Sequence, residues 1–485
     1  MIVKTTSGNV RGTVSGGIAE FKGIPYAAPL DGGRRFAPPE PAEPWDGVRD
    51  ATEFSAAPPQ APPVGPMPAV WSAGDSTECL SVNVWTPEPL SGGPPVFVWV
   101  HGGAFLGGVS SEPSCDGARF AAGGAVVVTM NYRVGFEGFG WLPDAPSNRG
   151  ILDQIAALRW VQDNVAGFGG DPSNVTIAGE SAGGASVAVL LASPLARGLF
   201  RRAIVQSSSS RFVGEGEARR VTEIIAAELG VAASARGFAE VASERVHRVQ
   251  NSPVEVMAKD RSAWTTAEAI TPFYPIVDGV VLEQAPWQAL RAGASRDIDL
   301  IAGFTRDEFA AFAEIQNLLD ADPRRIARDV RLPESAVDEY RAGNPGITDG
   351  ELVVRMMSDS LFRMSSLWCA EAHAEAGGRT FLYEVTWDDT PFGACHAIDI
   401  PLVFGNLDQR TTSFLFGGHP VDADGFLRLS EEVRKSWTAF AGTGDPGWPR
   451  YELDSRLTRL LGSTVKTVAD PEEVSRRIWH ARYSG

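Results

Sequence analysis

The chain has 485 residues, of which 44% are hydrophobic and 21% charged. This is ordinary globular composition, enough for a sizeable core, and it excludes a wholly disordered chain. Lys and Arg number 43 against 60 Asp and Glu, giving a formal charge of −17, which argues against nucleic acid or anionic membranes as partners.

Residues 1–30 predict short antiparallel strands that turn at Ser7-Gly8 and Gly16-Gly17. The opening MIVKTTSGNV lacks the apolar core of a secretory leader. No apolar run reaches the about 18 residues of a membrane span. A cytoplasmic location without membrane insertion is therefore expected. Residues 37–74, rich in Pro, Ala and Gly, predict a long surface loop. Strands are predicted at Val82–Trp85, Val96–Val100 and Ala125–Met130. Apolar residues at Ile151, Leu152, Ile155, Leu158 and Val161 predict a helix from Ile151 to Val165. A strand at Val175–Ala178, a helix of small residues at Ala182–Leu191 and a strand at Ala203–Gln206 follow.

Residues 215–260 predict several charged amphipathic helices. Strands return at Ile298–Ala302 and Thr380–Val385, with helical stretches at about 322–345 and 350–375 between them. Further helices are expected near 428–441 and 470–482. Strands alternating with helices imply an α/β class: a mostly parallel central sheet with helices on both faces. We expect one domain over 1–485, with helical insertions at about 210–275 and 315–375 that rim the site. Cys79, Cys115, Cys369 and Cys395 are scattered without a CxxC pair, which predicts reduced thiols. Oligomeric state is left open by the sequence, a monomer being slightly favoured.

Gly179-Glu180-Ser181-Ala182-Gly183 matches G-x-S-x-G between a predicted strand and a predicted helix, the context that makes it a nucleophile turn. The serine needs a tight turn to present its hydroxyl, and glycines two positions away on either side remove colliding side chains. A serine hydroxyl also needs a base, and the base an orienting acid, in the chain order Ser, acid, His. His396 follows the strand Thr380–Val385 by a loop, where the base belongs, and His419 in a Gly-Gly-His-Pro loop is the alternative. His373 and His480 fall within helices and read as packing or surface residues. Asp307 or Glu308, after the strand Ile298–Ala302, can supply the acid, and pattern alone does not choose. His101-Gly102-Gly103-Ala104-Phe105 follows a strand and is similar to the HGGG-type segment that lends amides to an oxyanion. The donors expected are the N–H groups of Gly103, Ala104 and Ala182, with His101 buttressing the loop.

Longer stretches carry a resemblance. Gly150 to Val165 (GILDQIAALRWVQDNV), Phe168 to Pro172 (FGGDP) and Asn174 to Ile177 (NVTI) lead into the Ser181 pentapeptide. Phe21 to Tyr26, Glu78 to Leu80, Asn131 to Arg133, Gly393 to His396 and Val403 to Gly405 fit the same pattern. The chain resembles the type-B carboxylesterases, with bacterial para-nitrobenzyl esterases nearer and cholinesterases more distant. The resemblance implies an α/β-hydrolase fold and a triad of Ser181, Glu308 and His396, choosing Glu308 over Asp307. It implies hydrolysis of small-molecule carboxylic esters with no metal or organic cofactor. Gly102 and Asp399 are expected to support the site from behind, Asp399 standing where relatives often carry Glu. Phe309 stands where relatives often have Gly after the acid, and Ser208 replaces the Gly of Gln-Ser-Gly. These departures bear on pocket shape, for which Phe105, Phe273, Phe309 and Phe312 are candidate lining residues. Cys79 matches a cysteine that is bridged in secreted relatives, but no cysteine precedes it here. The same triad also serves amide, thioester and lactone hydrolysis. An esterase-like binding protein that has lost its serine is the contrasting class.

Overall fold

A computed structural model describes every residue except 63–68, 91, 260–263, 265–270, 408–415, 417–421 and 484–485, and only the backbone at 481–483. Its centre is a sheet of eleven strands. In chain order these are β1 (Thr13–Ser15), β2 (Ile18–Pro25), β3 (Ser81–Pro87), β4 (Val96–Val100), β5 (Val126–Met130) and β6 (Val175–Glu180). They continue with β7 (Arg202–Gln206), β8 (Asp299–Thr305), β9 (Thr380–Val385), β10 (Leu457–Leu461) and β11 (Lys466–Ala469). Across the sheet the order is β11-β10-β9-β8-β7-β6-β4-β5-β3-β2-β1. Strands β4 to β10 run parallel, while β1, β2, β3 and β11 pair antiparallel at the edges.

The central strands are apolar on both faces, as a sheet covered by helices requires. Every residue of β4, β5, β6, β7 and β9 is buried. The helix Arg149–Asn164 buries Ile151, Ile155, Leu158 and Val161 on one stripe. The helix Ala182–Ala192 is built of small and aliphatic residues and is buried along nearly its whole length. Arg133, after β5, donates through Nε and Nη2 to Asp153 of the first helix at 2.8 and 2.6 Å, with both side chains fully buried. Its Nη1 reaches the carbonyls of Arg35 and Ala37, so one guanidinium ties the N-terminal segment to the sheet.

Two features position the site. Strand order reverses around β4, whose neighbours are β5 and β6, and such a switch point opens a crevice at the carboxyl ends of the strands. Register then sets the ends level. Val100 pairs Gly179, Glu180 pairs Gln206, Gln206 pairs Gly303, and Gly303 pairs Tyr383. The segments after β4, β6, β8 and β9 therefore leave one edge together.

Several expectations are refined. The 322–345 stretch is two helices, Pro323–Asp329 and Ser335–Gly343, because Pro333 cannot continue a helix. The 350–375 stretch contains a π-helical turn, Asp359–Arg363, between α-helices. The 37–74 region is not all loop: Val48–Asp50 pairs parallel with Asn9–Arg11. Strands β10 and β11 were not expected. The four cysteines are free and buried. Among the described residues no helix is long and apolar enough to cross a membrane.

Candidate active site

Ser181 ends β6 and begins the helix Ala182–Ala192, with φ 59° and ψ −120°. A non-glycine residue held there stores about 1–3 kcal/mol of strain and persists only where its surroundings fix it. The fixing contacts are close. Ser181 N–H donates to the Gln206 carbonyl at 3.0 Å. A Cβ on Gly183 would lie 2.1 Å from the Val100 carbonyl oxygen, and one on Gly179 would lie 2.6 Å from Gly183 backbone. Both glycines of the pentapeptide are thus steric necessities. A Cβ on Gly102 would stand 3.2 Å from the Ser181 Cβ, so the loop after β4 packs directly on the turn.

That loop runs from His101 to Gly108. Gly103, Ala104 and Phe105 all have positive φ, at 117°, 55° and 58°. The Gly103 carbonyl accepts from Leu106 and Gly107 N–H, curling the chain back on itself. His101 is buried, stacks on Tyr132 at 4.3 Å and contacts the Gly102 carbonyl through Nδ1 at 2.8 Å. Burial pushes its pKa down to about 4, so it is a neutral buttress.

The turn after β8 separates the two candidate acids. Glu308 is fully buried, its Oε1 accepting from Thr305 N–H at 2.8 Å and its Oε2 lying 2.5 Å from His396 Nδ1. Asp307 faces elsewhere. It accepts from Ala394 N–H at 3.0 Å and pairs with Arg306, so it steadies the segment that carries His396. Burial alone would raise the Glu308 pKa, but His396, Ser207 and the Thr305 amide outweigh it and hold it low.

His396 shows only 8% of its surface. Its Nε2 lies 3.1 Å from Glu180 Oε1, and its ring sits 4.1 Å from that of Phe362. Burial disfavours the charged imidazole, yet Glu180, Glu308 and Asp399 together overcome it and raise the pKa. Burial also raises Glu180, with Asp399 and Glu308 adding to it and His396 opposing. Asp399 Oδ2 accepts from Gln206 Nε2 at 2.8 Å and from the Tyr383 hydroxyl at 3.0 Å. Burial lifts Asp399 to about 6. Of the other histidines considered, His373 is buried against the Thr380 hydroxyl at 2.7 Å, and His419 lies outside the described residues.

A narrow pocket meets Ser181. Ala104, Phe105, Ala182, Ser209, Thr271, Tyr274, Leu361 and Phe362 line it, and its open space is about 20 Å³, near one water position. The four candidate aromatics divide. Phe105 lines this pocket. Phe312 is half-buried, 5.7 Å from the His396 ring. Phe273 is packed in the core against Phe136, while Thr271 and Tyr274 beside it face the pocket. Phe309 is fully buried against Phe312, its N–H held by Ser358 Oγ. Sequence reasoning missed Glu180, Leu361 and Phe362. The acid before Ser181 was a visible signal, whereas the π-turn that delivers Leu361 and Phe362 was not.

The sheet, its switch point and the strained serine turn define an α/β-hydrolase fold. Residues 1–459 match the model of the carboxylesterase family. The chain is 36% identical to the para-nitrobenzyl esterase of Bacillus subtilis (strain 168), covering 98% of each. It is 32% identical to the phenmedipham hydrolase of Pseudarthrobacter oxydans, covering 98% of this chain and 99% of that one. A crystal structure of a Geobacillus stearothermophilus carboxylesterase superposes with TM-score 0.87 at 35% identity, covering 99% of both chains. The chain belongs to the carboxylesterase family and is a serine hydrolase of carboxylic esters.

Proposed function

We propose that Ser181 is the nucleophile, His396 its general base and Glu308 the acid that orients the imidazole. The observation that carries this reading is the 2.5 Å contact of Glu308 with His396 Nδ1, at the strand edge that also presents Ser181 on a strained turn. Glu308 selects the tautomer with the proton on Nδ1, so Nε2, which rests 3.1 Å from Glu180 Oε1, is the nitrogen that accepts once it turns from that carboxylate to the serine. His396 takes the Ser181 proton as Oγ attacks the ester carbonyl. The carbonyl oxygen becomes an oxyanion that accepts from the N–H groups of Gly103, Ala104 and Ala182. His396 then gives the proton to the departing alkoxide, leaving an acyl-serine. Water repeats the sequence, and the carboxylic acid leaves with Ser181 restored.

Asp399 supports the site through Gln206 and Tyr383, and Gly102 supports it by lying against the serine turn. The chain acts as one domain over 1–485, on small-molecule esters, without a cofactor. Four unpaired cysteines favour a reducing compartment, the cytoplasm. The name of the Bacillus subtilis relative makes para-nitrobenzyl esters natural first substrates to try. The test is hydrolysis of these and of short-chain p-nitrophenyl esters by wild type and by Ser181→Ala.

The carboxylates around His396 set the pH dependence. Only the neutral imidazole can accept the serine proton, and its pKa is raised. Activity is therefore expected to rise with pH, along a limb displaced above the ordinary imidazole value of about 6.5. Glu180→Gln removes the largest charge that holds the proton on His396, so the limb of kcat/KM should move to lower pH. A pH profile of both proteins checks this. An unmoved limb would show that Glu180 does not govern the imidazole.

A further inference from the structure

Two of the three amides assigned to the oxyanion, those of Gly103 and Ala104, sit on a loop dominated by positive-φ residues. Ala104 and Phe105 are both left-handed non-glycine residues, and Gly103 and Gly108 are left-handed as well, at φ 117° and 116°. Such a run keeps its shape only where outside contacts over-determine it. At the loop's start the Tyr132 hydroxyl donates to the His101 carbonyl at 2.7 Å. In its middle the Phe105 carbonyl accepts from Gly135 N–H at 2.6 Å.

The far end is held by a side chain from a remote segment. Gln60 is 4% exposed. Its Nε2 donates to the Gly108 carbonyl at 3.0 Å, and its Oε1 accepts from Gly108 N–H at 2.9 Å. The amide thus pairs with both main-chain groups of one residue, as a neighbouring strand would. The second hydrogen on Nε2 goes to the Pro58 carbonyl at 3.1 Å, which fixes Gln60 to its own segment. The fit is close: a Cβ on Gly107 would fall 2.6 Å from Gln60 Oε1. The Cβ of any residue replacing Gly108 would meet His101 Nδ1 at 2.4 Å and the Gly102 carbonyl oxygen at 2.5 Å. Gly108 is therefore wedged between Gln60 and the residues that lead into Gly103 and Ala104.

We infer that Gln60 is a positioning residue for ester hydrolysis, its side-chain amide clamping Gly108 so that the Gly103 and Ala104 N–H groups stay aimed at the oxyanion. This rests on the proposed reading of Ser181 and those amides. Donors must lie within hydrogen-bond reach of the oxyanion, and a misplacement of about 1 Å costs about 10²-fold in rate. Gln60→Met keeps the length and volume of the side chain but removes both bonds to Gly108. On p-nitrophenyl acetate it is expected to lower kcat by about 10- to 100-fold and to leave KM within about threefold.

Two inhibitors separate aiming from general distortion. A short-chain trifluoromethyl ketone adds Ser181 and places an oxyanion in the same donors, whereas the corresponding methyl ketone binds as a neutral ground-state competitor. Affinity for the first should fall with kcat, and affinity for the second should hold. If Gln60→Met does not fold, Gly107→Ala, whose methyl group would press on Gln60 Oε1, reads the same clamp. Unchanged kcat, or equal weakening of both inhibitors, would overturn the inference. Should Ser181→Ala be inactive while Gln60→Met is fully active, only the clamp fails. Should Ser181→Ala retain activity, the reading beneath it fails.

Discussion

Ser181→Ala is expected to lower kcat on short-chain p-nitrophenyl esters by about 10⁶-fold, the order of loss when the nucleophile of a serine triad is removed. Alanine keeps the Cβ that packs against Gly102 and leaves the turn's backbone contacts in place, so the fold should be retained. What survives is the contribution of the amides and of substrate positioning, which in such sites still exceeds water by about 10³- to 10⁴-fold. Steady-state kinetics with a matched far-UV spectrum checks both parts. A variant that is folded and still near wild-type activity would remove Ser181 from the chemistry.

Glu308→Ala is expected to cost about 10³- to 10⁴-fold in kcat. The loss has two sources. The imidazole is no longer held with its proton on Nδ1, and the imidazolium that forms during attack loses its nearest carboxylate. The pH profile adds an independent sign. Glu308 is one of the groups that raise the His396 pKa, so its removal should shift the residual activity's limb to lower pH. Asp307→Ala serves as the contrast. Asp307 holds the Ala394 amide and Arg306 and not the imidazole, so a smaller loss with an unmoved limb is expected. Equal losses at both positions would mean that the turn as a whole, and not the Glu308 carboxylate, is what matters.

Much of this was legible from residues alone, where local chemistry and long-range packing ask for the same thing. The central strands are uninterrupted apolar runs, and the serine turn is marked by glycines whose absent side chains would strike Val100 and Gly183. The choice between Asp307 and Glu308 was not legible in the same way. The two adjacent acids both reach the 394–396 segment, Asp307 at the Ala394 amide and Glu308 at the imidazole, and only the folded chain decides which one meets His396. The family resemblance pointed to Glu308, and the geometry brings that residue to the imidazole.

Leu361 and Phe362 read as part of an ordinary amphipathic helix. A single π-turn rotates them into the site, a local departure that hydrophobic spacing does not encode. Phe273 shows the converse limit, since an aromatic in a loop near the site is as readily core as pocket wall. Strands β10 and β11 were missed because they are short, half-exposed and mixed in polarity. Gln60 acts across 48 positions of sequence on a main-chain target, and a contact with backbone leaves no partner residue to find.

We propose that one serine, activated at one turn, carries the reaction. The most direct test is labelling of the active enzyme with a fluorophosphonate, followed by digestion and mass spectrometry of the modified peptide. One adduct per chain is expected, on Ser181, formed in step with the loss of esterase activity and absent from Ser181→Ala. Inactivation with the adduct on another residue, or full activity after complete labelling of Ser181, would contradict it.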